Sequence, residues 1–270
     1  MKRRELRVGI VLVGLIVAMA LVSFVWTPFS PTAVNSTLPL QPPGWPHVLG
    51  SDHMGIDTLS RIMVGARSAL YVGVIAVGLA AVVGVPLGVA SASLPRWAAE
   101  VVLRITDITY AFPALLLAIL LAGALGASTE TAMVAIGIAS VPQFLRIARA
   151  GAMSVLASDF VLAAKASGTT RLRIAVLHVL PNIAPLIGVQ VSVSFALAIL
   201  AEAALSYLGL GTPSTVPSWG RMLGDAQTYL FTQPAQAIWP GLSIALTVLG
   251  FNLVGDGLRD VLDPQLREVA

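Results

Sequence analysis

The chain has 270 residues, 57% of them hydrophobic and only 11% charged, against about 25% charged in ordinary soluble domains. That balance makes it an integral membrane protein. Cysteine is absent, which excludes disulfides, thiolate metal sites and cysteine nucleophiles. The net charge of +3 reflects loops on one side of a membrane, not the clustered basic and aromatic surface that nucleic acid requires.

Lys2, Arg3, Arg4 and Arg7 precede an uncharged run from Val8 to Trp26. A cleaved signal peptide has an apolar core of about 7–15 residues and a small-residue cleavage site. This run is longer and ends in Trp26, Pro28 and Phe29, so a retained first transmembrane helix is expected. Phe29 to Arg67 is polar and rich in proline. It should be extended, with one amphipathic helix over Asp52 to Arg67. Asp52, His53 and Asp57 are metal-ligand types. Neighbours on a helix point different ways and no second cluster completes a shell, so a structural loop is expected.

Five more uncharged runs follow: Ser68–Leu94, Ile108–Ala127, Thr131–Leu145, Ile183–Ala201 and Ile238–Gly255. A spanning helix needs about 20 residues. The fourth run is the shortest and carries Pro142 and Gln143 near its end, but Arg146 can snorkel and lengthen it. The predicted fold class is therefore an all-α polytopic protein with six transmembrane helices. In the second run Gly84 and Gly88 form a GxxxG pair, a surface that lets helices approach closely. It faces another helix of this chain or a partner chain, the former being favoured.

Of the 16 Lys and Arg residues, only Arg61, Arg67 and Arg221 fall in segments on the side opposite the N-terminus. The positive-inside rule then puts both termini in the cytoplasm, together with the segment Asp159 to Asn182. That segment carries Lys165, Arg171, Arg173 and His178 against Asp159 alone. Ala163, Ala164 and Ala166 favour helix, Gly168 permits a sharp corner, and Arg171 to Leu180 can restart a helix before Pro181. The pattern reads as an exposed helix–corner–helix elbow across the mouth of the bundle, suited to docking a soluble partner. The outer segment from about Glu202 to Ala237 is dense in glycine and proline. It reads as a structured external turn with Trp219 as an aromatic interface anchor.

Several separated words carry a family resemblance. They are Leu49-Gly50-Ser51-Asp52-His53 and Asp57-Thr58-Leu59-Ser60-Arg61, followed by Gly65-Ala66-Arg67. Next come Ala163-Ala164, Gly168 and His178-Val179-Leu180-Pro181-Asn182. Then follow Leu205 to Gly211 with Pro217-Ser218-Trp219-Gly220, and finally Phe251 to Pro264. Together they resemble the dipeptide/oligopeptide/nickel branch of binding-protein-dependent ABC importer permeases. Two positions depart from that pattern. Leu162 stands where the family usually has glutamate, and Ile56 follows Gly55 where it often has arginine.

The resemblance implies a type I ABC importer permease fold. A first helix and external loop (1–67) would precede a five-helix core (68–270) containing a cytoplasmic coupling loop (146–182). It implies that Ala163, Ala164, Lys165, Gly168, Arg171, Arg173, His178 and Pro181 meet a separate ATPase. The implied partners are a second homologous permease, two P-loop ATPase subunits or one dual ATPase, an extracytoplasmic substrate-binding protein and the lipid membrane. The implied cargo is dipeptides or short oligopeptides, with nickel, heme or another small ligand as the alternative.

The chain itself has only Lys2 and Lys165, neither in GxxxxGK[ST], so ATP and Mg would be held by the partner subunits. HExxH and GxSxG are also missing, and no catalytic residue is expected. Asp107, Glu202 and Asp256 lie near span ends, where interfacial or structural roles are expected. A stand-alone secondary transporter would show inverted repeats, and none is evident. A membrane enzyme would need clustered ionisable residues at one membrane face.

Overall fold

Uncharged runs of this length must close their own backbone hydrogen bonds in hydrocarbon, and the helix is the local way to do so. The computed structural model describes residues 2–35, 37 and 39–262. The helices are α1 (Lys2–Val25), α2 (Thr58–Ser93), α3 (Arg96–Ala111), α4 (Ala114–Leu125), α5 (Thr129–Leu156), α6 (Asp159–Ala166), α7 (Arg171–Ile174), α8 (Leu180–Tyr207), α9 (Trp219–Ala226) and α10 (Ala235–Leu262). Five of the described helices are long and apolar enough to cross a membrane. The sixth expected span is not one rod. It is the pair α3 and α4, bent by 82°.

The bend has a sequence cause. Pro113 lacks an N–H and disfavours helical geometry in the residue before it. Phe112 accordingly sits at φ −81, ψ 122. The expected single span over Ile108–Ala127 is therefore corrected to two helices meeting at Phe112-Pro113. The fourth run is corrected in the other direction. It forms part of a 28-residue helix, Thr129–Leu156, with Pro142 inside it. Its two arginines are held as it continues. Arg146 donates to Asp107 at 2.6 Å and stacks over Tyr110, and Arg149 donates to the Ser91 carbonyl.

The core lies where α2, α5 and α8 meet. Val72, Ala76, Ala80, Ala135, Ile136, Phe144, Phe195 and Ile199 form one buried cluster there. Small residues let α2 and α5 approach. A Cβ on Gly84 would stand 2.7 Å from Phe144 Cβ. One on Gly88 would stand 2.5 Å from the Leu145 carbonyl oxygen. Both glycines thus back onto α5 of the same chain. Gly88→Ala is expected to cost about 1–3 kcal/mol by overpacking. Gly78→Ala, with nothing within 4 Å of the new methyl, is expected to be neutral or to stabilise by up to about 1 kcal/mol through helix propensity. Thermal unfolding of the two variants in detergent measures the contrast, and equal midpoints would contradict this packing. α1 packs on α10 in the same way, with Gly9 against Leu253 and Val254 and Gly250 against Leu12 and Val13.

At the end of the bundle away from the α6–α7 hairpin, the described residues between 27 and 57 fold into a cap. The expected helix over Asp52 to Arg67 does not begin until Thr58. The Asp52 carboxylate accepts the N–H groups of Met54 and Ile56, and Ser51 bridges to Asp57. These contacts hold 52–57 as a turn. Asp57 caps α2 by accepting the Ser60 N–H at 2.8 Å and also meets His47 Nδ1 at 2.9 Å. Arg61 pairs with Asp52 and lies 3.5 Å from Asp225. The two carboxylates considered as metal ligands are thus engaged by arginine, histidine and backbone donors.

The segment 202–237 is also corrected. Glu202 and Leu205 to Tyr207 belong to α8, and the PSWG word starts another helix, α9. Trp219 is no interface anchor. It is 1% exposed, donates its ring N–H to the Ile62 carbonyl at 3.0 Å and lies on Gly65. Glu202 is buried and accepts hydrogen bonds from Ser206 at 2.7 Å and Thr212 at 3.1 Å. Asp107 and Asp256 are exposed. In the C-terminal word, Asp263 and Pro264 lie outside the described residues, as does Arg267.

Candidate functional site

The hairpin over Asp159–Asn182 is built from two local signals and one packing anchor. Asp159 in the first turn and Lys165 in the last turn of α6 match the helix dipole at both ends. The helix then stops in a Schellman motif. Gly168 N–H donates to the Lys165 carbonyl and Thr169 N–H to the Ala164 carbonyl, each at 3.0 Å. This closure needs a left-handed residue just past the cap, and Gly168 has φ +78. Thr170 caps the next helix by accepting the Arg173 N–H at 3.4 Å.

The return arm does not break at Pro181. α7 passes through a π-helical turn, Ala175–Val179, into α8. Arg171–Tyr207 thus forms one long helical path. Pro181 stands in the first turn of α8, where the missing N–H is best tolerated. Val161, Ile174 and Val179 are buried with Val89 of α2, Ala148 and Ala152 of α5 and Ile183 of α8. The hairpin is therefore seated on three long helices, and its outer side is open.

That outer side is both basic and apolar. Ala163, Lys165, Gly168, Arg171, Arg173 and Pro181 are exposed, while Ala164 and His178 are half-buried. Phe160, Leu162 and Leu177 are each about half exposed, and Leu172 is 76% exposed. The rings of Phe160 and His178 meet edge-on at 6.1 Å across the two arms. Lys165 reaches back to the Leu156 carbonyl at 3.3 Å. Between the hairpin and the end of α2 lies a cleft of about 510 Å³ lined in part by Ser93, Lys165, Thr169 and Arg171.

The fold brings Ala163, Ala164, Lys165, Gly168, Arg171 and Arg173 onto one elbow. His178 joins through Phe160, while Pro181 stands further along, on α8. Gly84 and Gly88 lie apart, in the α2–α5 seam. Sequence reasoning missed the exposed Phe160, Leu172 and Leu177. Their signal was present, as large apolar residues inside the one strongly polar stretch.

A helical bundle with five helices long and apolar enough to cross a membrane, a sharply bent apolar helix pair and a cornered polar hairpin defines a multi-pass membrane component. The chain belongs to the family described as binding-protein-dependent transport system inner membrane component, whose model matches residues 84–268. This is a family of transport components, not of enzymes. Among similar proteins is the dipeptide transport system permease protein DppC of Alkalihalophilus pseudofirmus. It is 41% identical over 96% of this chain and 86% of its own length. The probable D,D-dipeptide transport system permease protein DdpC of Escherichia coli is 37% identical over 93% of this chain and 86% of its own. The nickel transport system permease protein NikC of Escherichia coli is 33% identical over 98% and 95%. Among solved structures, the MetNI methionine ABC transporter in inward-facing form matches in fold. Its TM-score is 0.56 at 17% identity, covering 76% of this chain and 94% of that one.

Proposed function

We propose that this chain is the permease subunit of an ATP-driven importer, forms half of a membrane pathway for dipeptides or short oligopeptides, and couples to separate ATPases. The observation that carries the reading is the exposed hairpin with a rigid corner at Gly168, on a chain without a P-loop lysine of its own. Its basic and apolar outer side suits a groove on a soluble subunit. The peptide class is supported by the dipeptide permeases among its relatives, and the nickel permease at 33% identity makes nickel the alternative cargo. The distribution of Lys and Arg supports cytoplasmic termini and a cytoplasmic hairpin. Residues 1–67 act as a first helix and external cap, and 68–270 as the core, with the coupling loop at 146–182.

In this reading Ala163, Ala164, Lys165, Gly168, Arg171 and Arg173 contact the ATPase, with His178 and Pro181 bracing the return arm. ATP and Mg sit on the ATPases. Their closure displaces the hairpin. Because Val161, Ile174 and Val179 are packed among α2, α5 and α8, displacement is passed to those helices as a rigid-body movement. A second permease completes the path and an extracytoplasmic binding protein delivers cargo.

Two measurements test this. A tag on the chain in mild detergent is expected to recover a second permease and one or two P-loop ATPases. Vesicles of that assembly with its binding protein are expected to take up labelled dipeptide only with ATP. Recovery of a stable homo-oligomer alone would refute the subunit reading, and ATP-dependent nickel uptake without peptide uptake would replace the cargo.

A further inference from the structure

At the hairpin end of the bundle a cleft of about 440 Å³ opens between α3 and α5, lined by Arg96, Glu100, Leu103, Arg104, Asp107 and Arg149. Its acids are already matched. Glu100 lies 3.6 Å from Arg104, and Asp107 accepts from Arg146 at 2.6 Å. Arg149 donates only to a neutral acceptor, the Ser91 carbonyl at 3.2 Å. Arg96 is exposed and has no hydrogen-bond or ion-pair partner among the described residues. Two guanidinium groups therefore border one cleft with no carboxylate assigned to either.

The neighbouring surface of α3 says what kind of anion fits. Trp97, Val101, Ile105 and Ile108 recur at helical spacing and are 72%, 54%, 61% and 63% exposed. They form an apolar strip beside the charged face. A helix whose charged face carries Arg96 and Arg104 with their acids, and whose other face is apolar with a tryptophan, suits the headgroup boundary of a membrane. The 82° bend at Phe112-Pro113 allows the uncharged α4 to enter hydrocarbon while α3 turns along that boundary. A free anion would need only the arginines and would leave the strip without a role.

We propose that this cleft binds the phosphate of an anionic phospholipid headgroup. Arg96 and Arg149 are the donors, and the Trp97–Ile108 strip borders the acyl chains. Basic pockets between membrane helices are suited to such headgroups, and each arginine near an anionic lipid surface contributes about fivefold in binding. The site is separate from the hairpin surface assigned to the ATPase.

The full chain, purified in mild detergent, is offered phosphatidylglycerol and phosphatidylcholine in equal amounts, and retained lipid is read by native mass spectrometry. The wild type is expected to retain phosphatidylglycerol preferentially. Arg96→Gln with Arg149→Gln is expected to weaken that retention roughly 30-fold, the product of two such steps, with phosphatidylcholine unchanged. Arg96→Gln alone removes an exposed, unpartnered side chain, so folding is not in question, and it is expected to lose about fivefold. Equal retention of the two lipids by the wild type, or undiminished retention by Arg96→Gln, would overturn the site. Displacement of phosphatidylglycerol by millimolar inorganic phosphate would also overturn it, by assigning the cleft to a free anion.

Discussion

Gly168→Pro is expected to abolish ATP-dependent uptake while leaving the protein inserted in the membrane at wild-type levels. Gly168 sits at φ +78, whereas proline is confined near −65°. The variant also loses the Gly168 N–H that closes the corner on the Lys165 carbonyl at 3.0 Å. A proline at 168 would further disfavour the helical geometry of Ser167 before it, which now stands at φ −80, ψ 8. The Schellman corner would open, and α6 would lose its angle to α7. The spans do not depend on that corner, so insertion should survive.

Milder replacements separate geometry from bulk. No atom lies within 4 Å of a Cβ added at Gly168, so Gly168→Ala meets only the left-handed backbone penalty of about 1–2 kcal/mol. Partial uptake is expected. Gly168→Asn, a residue that visits this region more readily, should transport better than Gly168→Ala. Uptake of labelled dipeptide into vesicles, with insertion followed by immunoblot, gives the ranking. Normal uptake by Gly168→Pro would remove the coupling role from this corner.

Arg61→Gln is expected to destabilise the protein by about 3–5 kcal/mol, the usual effect of removing one partner from a buried ion pair. The Arg61 side chain is 7% exposed and Asp52 8% exposed, with Asp225 at 23%. Loss of the guanidinium leaves both carboxylates without this counter-charge, although Asp52 keeps its backbone donors from Met54 and Ile56. The cost falls on the joint between α2, the cap and α9. Arg61→Lys keeps the charge but not a planar fork able to reach two acids at once, so an intermediate loss is expected. The readout is the thermal unfolding midpoint in detergent. An unchanged midpoint in Arg61→Gln would mean that the network contributes nothing to the joint.

How much of this was legible beforehand differs residue by residue. The corner at Gly168 was readable because a Schellman stop is local, needing a helical run, one glycine and a restart. The GxxxG pair was readable for the same reason, although only packing showed that Phe144 and Leu145 of α5 lie against it. The break at Phe112-Pro113 had a visible cause in Pro113. Hydropathy alone runs straight through it, because the flanking residues are all uncharged. Trp219 was misread in the opposite way. A tryptophan beside a turn-rich outer loop suggests an interface anchor, and nothing near it in the chain reveals that Ile62 and Gly65 receive it.

The sequence by itself determined that this is a helical membrane protein, roughly where its spans run and which family it belongs to. These properties follow from local composition, from the demand of hydrocarbon for internal hydrogen bonds and from short words in a fixed order. Tertiary structure decided why those words stand so far apart. Asp52, Arg61 and the half-buried Asp225 meet in one network, and Gly65 makes room for Trp219. It also decided that Arg96 and Arg149 share a cleft. Such pairings depend on which helices come together, and helix packing in a bilayer is set by the shapes and polar groups of facing surfaces, which no single segment contains.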